Sequence, residues 1–288
     1  RLFRAALDGS EPVVDIGPTD SGAGQYELDA TGEHVLNLVP DPDTGRLRLV
    51  GLAGDGSAGE TLLDGNVGSV LDYRLAPAGD LVLFRAVDGS GGAELYAAPT
   101  RGGRVFRVNG PLSAEGAVES DYVLGADGRS VYFRQTIAAG TVELFRGSVV
   151  GRSPDRLCAP HAVGSAVQEF AVAPDHVVYR ADSRANNVVE LFVAPADASA
   201  DPERVPLDLP VNADVHAFAL SEDASRIVFL ADGATAFKLE LYSAPIDAQS
   251  FVRLNQDLDS SEDVSDFQVT PDSSAVVFRA NPDGGTNR

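Results

Sequence analysis

Short apolar runs, each closed by a turn rich in Gly, Pro or Asp, follow one another along the whole chain. LVLFRA from Leu81, SVYFRQ from Ser130, HVVYRA from His176, RIVFLA from Arg226 and AVVFRA from Ala275 are crowded with β-branched and aromatic residues. Their composition, their length and the turns that bound them predict β-strands. A second set follows each run across a polar loop: AELYAAP from Ala93, VELFRGS from Val142, VELFVAP from Val189 and LELYSAP from Leu239. It predicts a strand paired back on the first. Shorter apolar pieces come last, VFRVN from Val105, RLC from Arg156, RVPL from Arg204 and VRLN from Val252. No stretch of eleven or more residues keeps apolar spacing of three and four without Gly, Pro or strict alternation intervening, so helix is almost excluded.

The runs belong to a larger period. An aromatic, a short strand and a Pro-Asp or Asp-Gly turn recur as YELDATGE from Tyr26, YRLAPAGD from Tyr73 and YVLGADG from Tyr122, then as FAVAPD from Phe170, FALSED from Phe218 and FQVTPD from Phe267. The intervals are 47, 49, 48, 48 and 49 residues, and the step from Phe267 through the chain end to Tyr26 is another 47. Four short strands per period is the grammar of a propeller blade. At the start, RLFRAAL at Arg1–Leu7 matches a third strand and VVDI at Val13–Ile16 a fourth; at the end, Phe267–Arg288 supplies only the first two strands of a period. The expectation is an all-β, six-bladed β-propeller with four antiparallel strands per blade, a single domain over 1–288. Its blades span about 26–71, 72–120, 121–169, 170–217 and 218–266, and a closing blade joins 267–288 to 1–25, leaving no open sheet edge.

VSDFQVTPDSSAVVFRANPDGG and LELYSAPIDAQSFVRLN resemble the repeats of TolB-like six-bladed bacterial propellers, which share a Pro-Asp turn between the first two strands and an ELY-type third strand. The resemblance covers nearly the whole chain and encodes turns and blade packing rather than chemistry. It lapses in the first full repeat, where Asn37 stands in place of the aromatic and RLRLVGL lacks the Glu. It implies a binding scaffold in the periplasm or outside the cell.

Composition narrows the partners. In 288 residues and 30.1 kDa, 44% apolar and 23% charged residues are ample for a core, and no apolar run is long enough to span a membrane as a helix. Twenty-two Lys and Arg against 43 Asp and Glu give −21, a field that repels phosphate backbones and makes nucleic acid a poor partner. A chain that begins at Arg1 and has no Met is expected to be a processed form or a domain of a longer precursor. One cysteine, Cys158, allows no internal disulfide and reads as core filler. The histidines His34, His161, His176 and His216 form no HExxH pair, no GxSxG elbow is present, and without Trp a sugar-stacking site is disfavoured.

Two charged sets repeat with the period. Arg85, Arg134, Arg180 and Arg279 end the second strands, and Glu94, Glu143, Glu190 and Glu240 open the third; separations of 9, 9 and 10 residues lead us to expect Arg–Glu pairing across the hairpin. Leu230 opposite Glu240, and Arg279 near the chain end, break this set. Just ahead of the leading aromatics lie Asp72, Asp121, Glu169 and Asp266, with Gln25 and Ala217 in the other two repeats. A propeller puts these where the innermost strands begin, around one mouth of its channel, with Glu119, Asp214, Glu262 and Asp263 in the preceding loops. Three readings stay open: the acids accept backbone hydrogen bonds, hold Ca²⁺ or another divalent cation, or receive a basic peptide. DPDTG at Asp41–Gly45 and NPDGGTN at Asn281–Asn287 lack the spacing of an EF-hand and read as turns. His216 is the histidine best placed to face the channel. The expected function is a non-enzymatic, protein-binding module of a larger secreted or periplasmic protein, with no resident cofactor. The alternative is a lyase or hydrolase using channel-mouth carboxylates and a cation.

Overall fold

A computed structural model of the protein describes residues 2–17, 25–57, 59–89, 91–159, 163–183, 188–210, 213–233, 238–258 and 262–280. Every regular element among them is a β-strand. The chain divides into two compact units, Arg1–Ile137 with Gly147–Pro154, and Ala138–Arg146 with Asp155–Arg288.

In the first unit two four-stranded antiparallel sheets run in chain order. One comprises Tyr26–Leu28, His34–Pro40, Leu47–Ala53 and Thr61–Leu62; the next comprises Ser69–Leu75, Leu81–Val87, Glu94–Pro99 and Phe106–Arg107. Their facing sides interlock in one core, where Leu36, Leu49 and Leu63 meet Val70, Val82 and Phe84. The second unit repeats the plan with Val167–Val172, His176–Ala181, Glu190–Pro195 and Glu203–Arg204, then Val215–Leu220, Arg226–Asp232, Leu239–Pro245 and Val252–Arg253. Val178, Leu191 and Val193 there pack on Val215, Ile227 and Phe229. Ala117–Val118 and Val123–Leu124 pair with Ser130–Ala138, and Thr141–Ser148 pairs with Asp155–Arg156, all antiparallel. The middle strands read as unbroken apolar runs because both their faces are covered; the fourth strands are two residues long and leave little free edge on that side.

The periodic aromatics make cross-strand stacks. Phe84 lies on Tyr96 at 5.4 Å, Tyr179 on Phe192 at 5.2 Å and Phe229 on Tyr242 at 5.4 Å between ring centroids. Each stack contributes about 0.5–1.5 kcal/mol beyond its buried area. The first repeat has Asn37 and Val50 at these positions, directly opposite each other. Asn37 is fully buried, and neither its amide nitrogen nor its oxygen has a hydrogen-bond partner.

A second periodic device lies just beyond four of the fourth strands. Asn109 Oδ1 accepts from Leu95 N at 2.8 Å, Asn255 Oδ1 from Leu241 N at 2.8 Å, Asp64 Oδ2 from Leu49 N at 3.0 Å and Cys158 Sγ from Leu144 N at 3.3 Å. Each satisfies a buried amide on the outer side of the third strand, which the two-residue fourth strand is too short to reach. Cys158 is therefore a hydrogen-bonding member of the frame as well as filler. Burial pushes its thiol up to about 12, against smaller opposing effects from the Leu144 backbone and Arg156.

Of the segments expected to share a closing blade, residues 1, 18–24 and 281–288 lie outside the described residues, and NPDGGTN with them. The described parts form two-stranded sheets, Phe3–Arg4 with Val14–Asp15 and Val264–Val269 with Val276–Ala280.

Candidate functional site

The first strand of a repeat begins earlier than its leading aromatic suggests, at Ser69, Val167, Val215 and Val264. A bulge interrupts each one, between Val70 and Asp72, Val167 and Glu169, Val215 and Ala217, and Val264 and Asp266. The extra residue is Leu71, Gln168, His216 or Ser265, and it breaks the two-residue alternation that would have marked the strand. Asp72, Glu169 and Asp266 accordingly sit inside strands, whereas Asp121 precedes Val123–Leu124.

Each of these acids meets an arginine. Directly opposite Asp72 in the ladder is Arg85, opposite Glu169 is Arg180 and opposite Asp266 is Arg279. The ion-pair distances are 2.5 Å for Asp72–Arg85, 2.6 Å for Asp121–Arg134, 2.9 Å for Glu169–Arg180 and 3.4 Å for Asp266–Arg279. The guanidinium does a second job in the Asp72 and Glu169 pairs: Arg85 Nη1 donates to Val118 O at 2.8 Å and Arg180 Nη1 to Val215 O at 3.4 Å, on the first strand of the following sheet. Asp72 is bound from that side too, because Tyr122 Oη donates to its Oδ1 at 2.9 Å while Arg74 lies over the Tyr122 ring. Burial, then the charge of Asp72, raises the Tyr122 phenol above its ordinary range.

This arrangement corrects the expected Arg–Glu hairpin pairs. Arg85 faces Leu95 and Ala86 faces Glu94; Arg180 faces Leu191 and Ala181 faces Glu190. An offset of one residue sends the two side chains to opposite faces of the sheet, however close they are in sequence. The glutamates meet arginines of the fourth strands instead: Glu94 with Arg107 at 3.0 Å, Glu143 with Arg156 at 3.4 Å, Glu190 with Arg204 at 3.1 Å and Glu240 with Arg253 at 2.8 Å. The signal for these partners in the sequence is the Arg that recurs in every FRV, RLC, RVP or VRL segment.

The fifth repeat lacks the arginine tie, for Ala217 faces Leu230. His216, at the bulge, turns instead to Asp232, with Nε2 3.0 Å from Oδ2 of a buried carboxylate whose Oδ1 has no partner. The same Oδ2 accepts from Asp214 N at 2.7 Å. Among the preceding-loop acids, Asp214 accepts from Val189 N at 2.7 Å, Asp263 from Leu239 N at 2.8 Å and Glu119 from the Thr136 hydroxyl at 2.7 Å. Asp214 and Asp263 thus fasten the third strand of one sheet to the first strand of the next. Asp41 closes its own turn, accepting from Thr44 N at 2.9 Å. Among the described residues no three His, Cys, Asp or Glu side chains gather as a metal site would. His161 lies outside the described residues.

The fold and these contacts define an all-β protein of repeated four-stranded antiparallel sheets with charged ties between consecutive sheets. No protein-family model matches the chain, and no curated protein does. Among solved structures the chain is similar to a putative TolB from Agrobacterium tumefaciens, at 13% identity over 84% of this chain and 83% of that one, with a TM-score of 0.43. It is also similar to an oligogalacturonate lyase in complex with manganese (12% identity, 89% and 77% covered, TM-score 0.48). A third is a puromycin-hydrolyzing peptidase of Mycobacterium tuberculosis (15% identity, 88% and 40% covered, TM-score 0.46). Likenesses this distant assign no residue of this chain a role.

Proposed function

We propose that the chain is a six-bladed β-propeller serving as a non-catalytic recognition module for a protein partner, in the periplasm or outside the cell. The observation that carries this reading is the employment of Asp72 and Glu169: each is bound by an arginine that also grips the next sheet. Carboxylates committed to holding sheets together make a frame, and a rigid frame is what a recognition surface needs. On that frame the bulge positions carry unlike side chains, Leu71, Gln168, His216 and Ser265, at equivalent places. The repeat of 47 to 49 residues supports the blade count. With a net charge of −21, the partner surface is basic and its capture is steered electrostatically.

A lyase or hydrolase with a divalent cation is the second reading, favoured by the His216–Asp232 pair, where the arginine tie is missing. One experiment separates the two. Chelator-treated protein is titrated calorimetrically with calcium and then manganese, with Tm followed in parallel. No heat and no rise in Tm support the recognition module; saturable uptake that His216→Ala and Asp232→Asn abolish replaces it with the cation-dependent enzyme.

A further inference from the structure

We propose that the cleft beside His34 and Arg101 binds a small hydroxycarboxylate, Arg101 taking the carboxylate and the His34 ring the hydroxyl. The cleft lies within the first unit, has a volume of about 370 Å³ and is lined by Glu33, His34, Gly51, Thr61, Thr100 and Arg101 among others. That volume suits a small-molecule site.

Asp29 orients the imidazole. Its buried carboxylate lies 3.0 Å from His34 Nδ1. The turn that Asp29 caps does not need the ring: Oδ1 already accepts from Thr31 Oγ1 at 2.9 Å, Glu33 N at 3.0 Å and His34 N at 3.2 Å. Burial raises the Asp29 carboxyl, but hydrogen bonds from His34 and Thr31 outweigh it and hold the group below the usual carboxylate range. With Nδ1 engaged, Nε2 is the ring nitrogen left for a ligand. It offers a lone pair in the neutral ring and a proton in the charged one, and a hydroxyl complements both.

Gly51 brings Arg101 to the cleft. A Cβ there would stand 3.3 Å from Thr100 O and 3.4 Å from Leu63, tighter than packing ordinarily allows. The corresponding third-strand positions hold Ala97, Val193 and Ser243. A glycine inside a strand weakens it and marks a place where another backbone comes close. That backbone is the Thr100–Arg101 turn, anchored by Thr100 Oγ1 to Gly79 O at 2.8 Å and Thr100 N to Asp80 O at 3.1 Å. The guanidinium is solvent-facing and meets Glu33 at 3.7 Å, a loose surface pair of small worth. A ligand carboxylate replaces one anion by another and adds the bidentate geometry that Glu33 does not reach.

The test is ring-nitrogen NMR of the full chain, with His34 assigned by the signal lost in His34→Gln. Glycolate, carrying one carboxylate and one hydroxyl, is expected to move the His34 resonances saturably, with half-saturation at about 1 mM for so small a ligand. Acetate, which lacks only the hydroxyl, is expected to bind at least tenfold more weakly, and Arg101→Gln to weaken glycolate by a similar factor. Gly51→Ala, which pushes the Thr100–Arg101 turn away, weakens it as well. The proposal is overturned if glycolate produces no saturable movement, if acetate binds as well as glycolate, or if Arg101→Gln leaves the titration unchanged.

Discussion

The first and second repeats share one core in the same unit, yet they solve its problems differently. In the second, Phe84 stacks on Tyr96, Arg85 binds Asp72, and Glu94 binds Arg107. At the matching places the first has Asn37 beside Val50, Leu38 opposite Gln25, and Arg48 where Glu94 stands. Two of these departures are compensated. Leu38 and Gln25 remove both charges of a tie at once, and Arg48 finds its anion in Asp64, 2.9 Å away, the same carboxylate that caps Leu49 N. The third is not: Asn37 brings two polar atoms into a core that satisfies neither. A repeat tolerates the loss of a whole interaction far better than the loss of one partner.

The largest test of that contrast is Phe84→Ala, expected to cost about 3–5 kcal/mol in denaturant unfolding, since it empties a buried stack. Asp64→Ala comes next at about 2 kcal/mol, because it leaves the buried Leu49 amide without its acceptor and Arg48 with Asp41 alone; Asp64→Asn, which keeps the cap, should cost less. Asn37→Leu works in the opposite direction, raising stability by about 1–2 kcal/mol, and a measured loss would show that the amide is satisfied in solution. Smaller still is a double-mutant cycle in which Arg85→Leu with Asp72→Gln, a copy of the first repeat, recovers about 1 kcal/mol relative to the sum of the single changes. Last comes acid. Hydrogen bonds from the Ser221 hydroxyl and from Ser225 hold Asp223 down at about 2, and those from Thr270 and Ser274 do the same for Asp272. Their contribution is present above about pH 4 and lost as pH falls towards 2. Tm measured from pH 5 to pH 2.5 should therefore decline less steeply in Asp223→Asn.

What could be read in the sequence follows from what repeats. The second and third strands were legible because burial on both faces writes them as plain apolar runs, as in LVLFRA and LELYSAP. The first strands were legible only from their aromatics onward, since Leu71, Gln168, His216 and Ser265 interrupt the alternation. The charged positions are legible, but distance along the chain does not name their partners, because the register sends Arg85 and Glu94 to opposite faces. The role of Cys158 was hidden for another reason. It holds the same place as Asn109 and Asn255, two residues after the fourth-strand arginine, but a thiol does not look like an amide in a string of letters.

The tyrosines of this chain also supply an optical reporter. Seven Tyr and no Trp leave phenol as the emitting chromophore. In the folded protein the hydroxyls of Tyr96, Tyr122 and Tyr242 donate to Glu94, Asp72 and Glu240, at 2.5, 2.9 and 2.7 Å. A carboxylate at that distance accepts the phenol proton in the excited state and quenches emission. Unfolding frees the phenols into water, so the chain should brighten as it loses its structure, and the carboxylates that the arginines hold in place darken the native state.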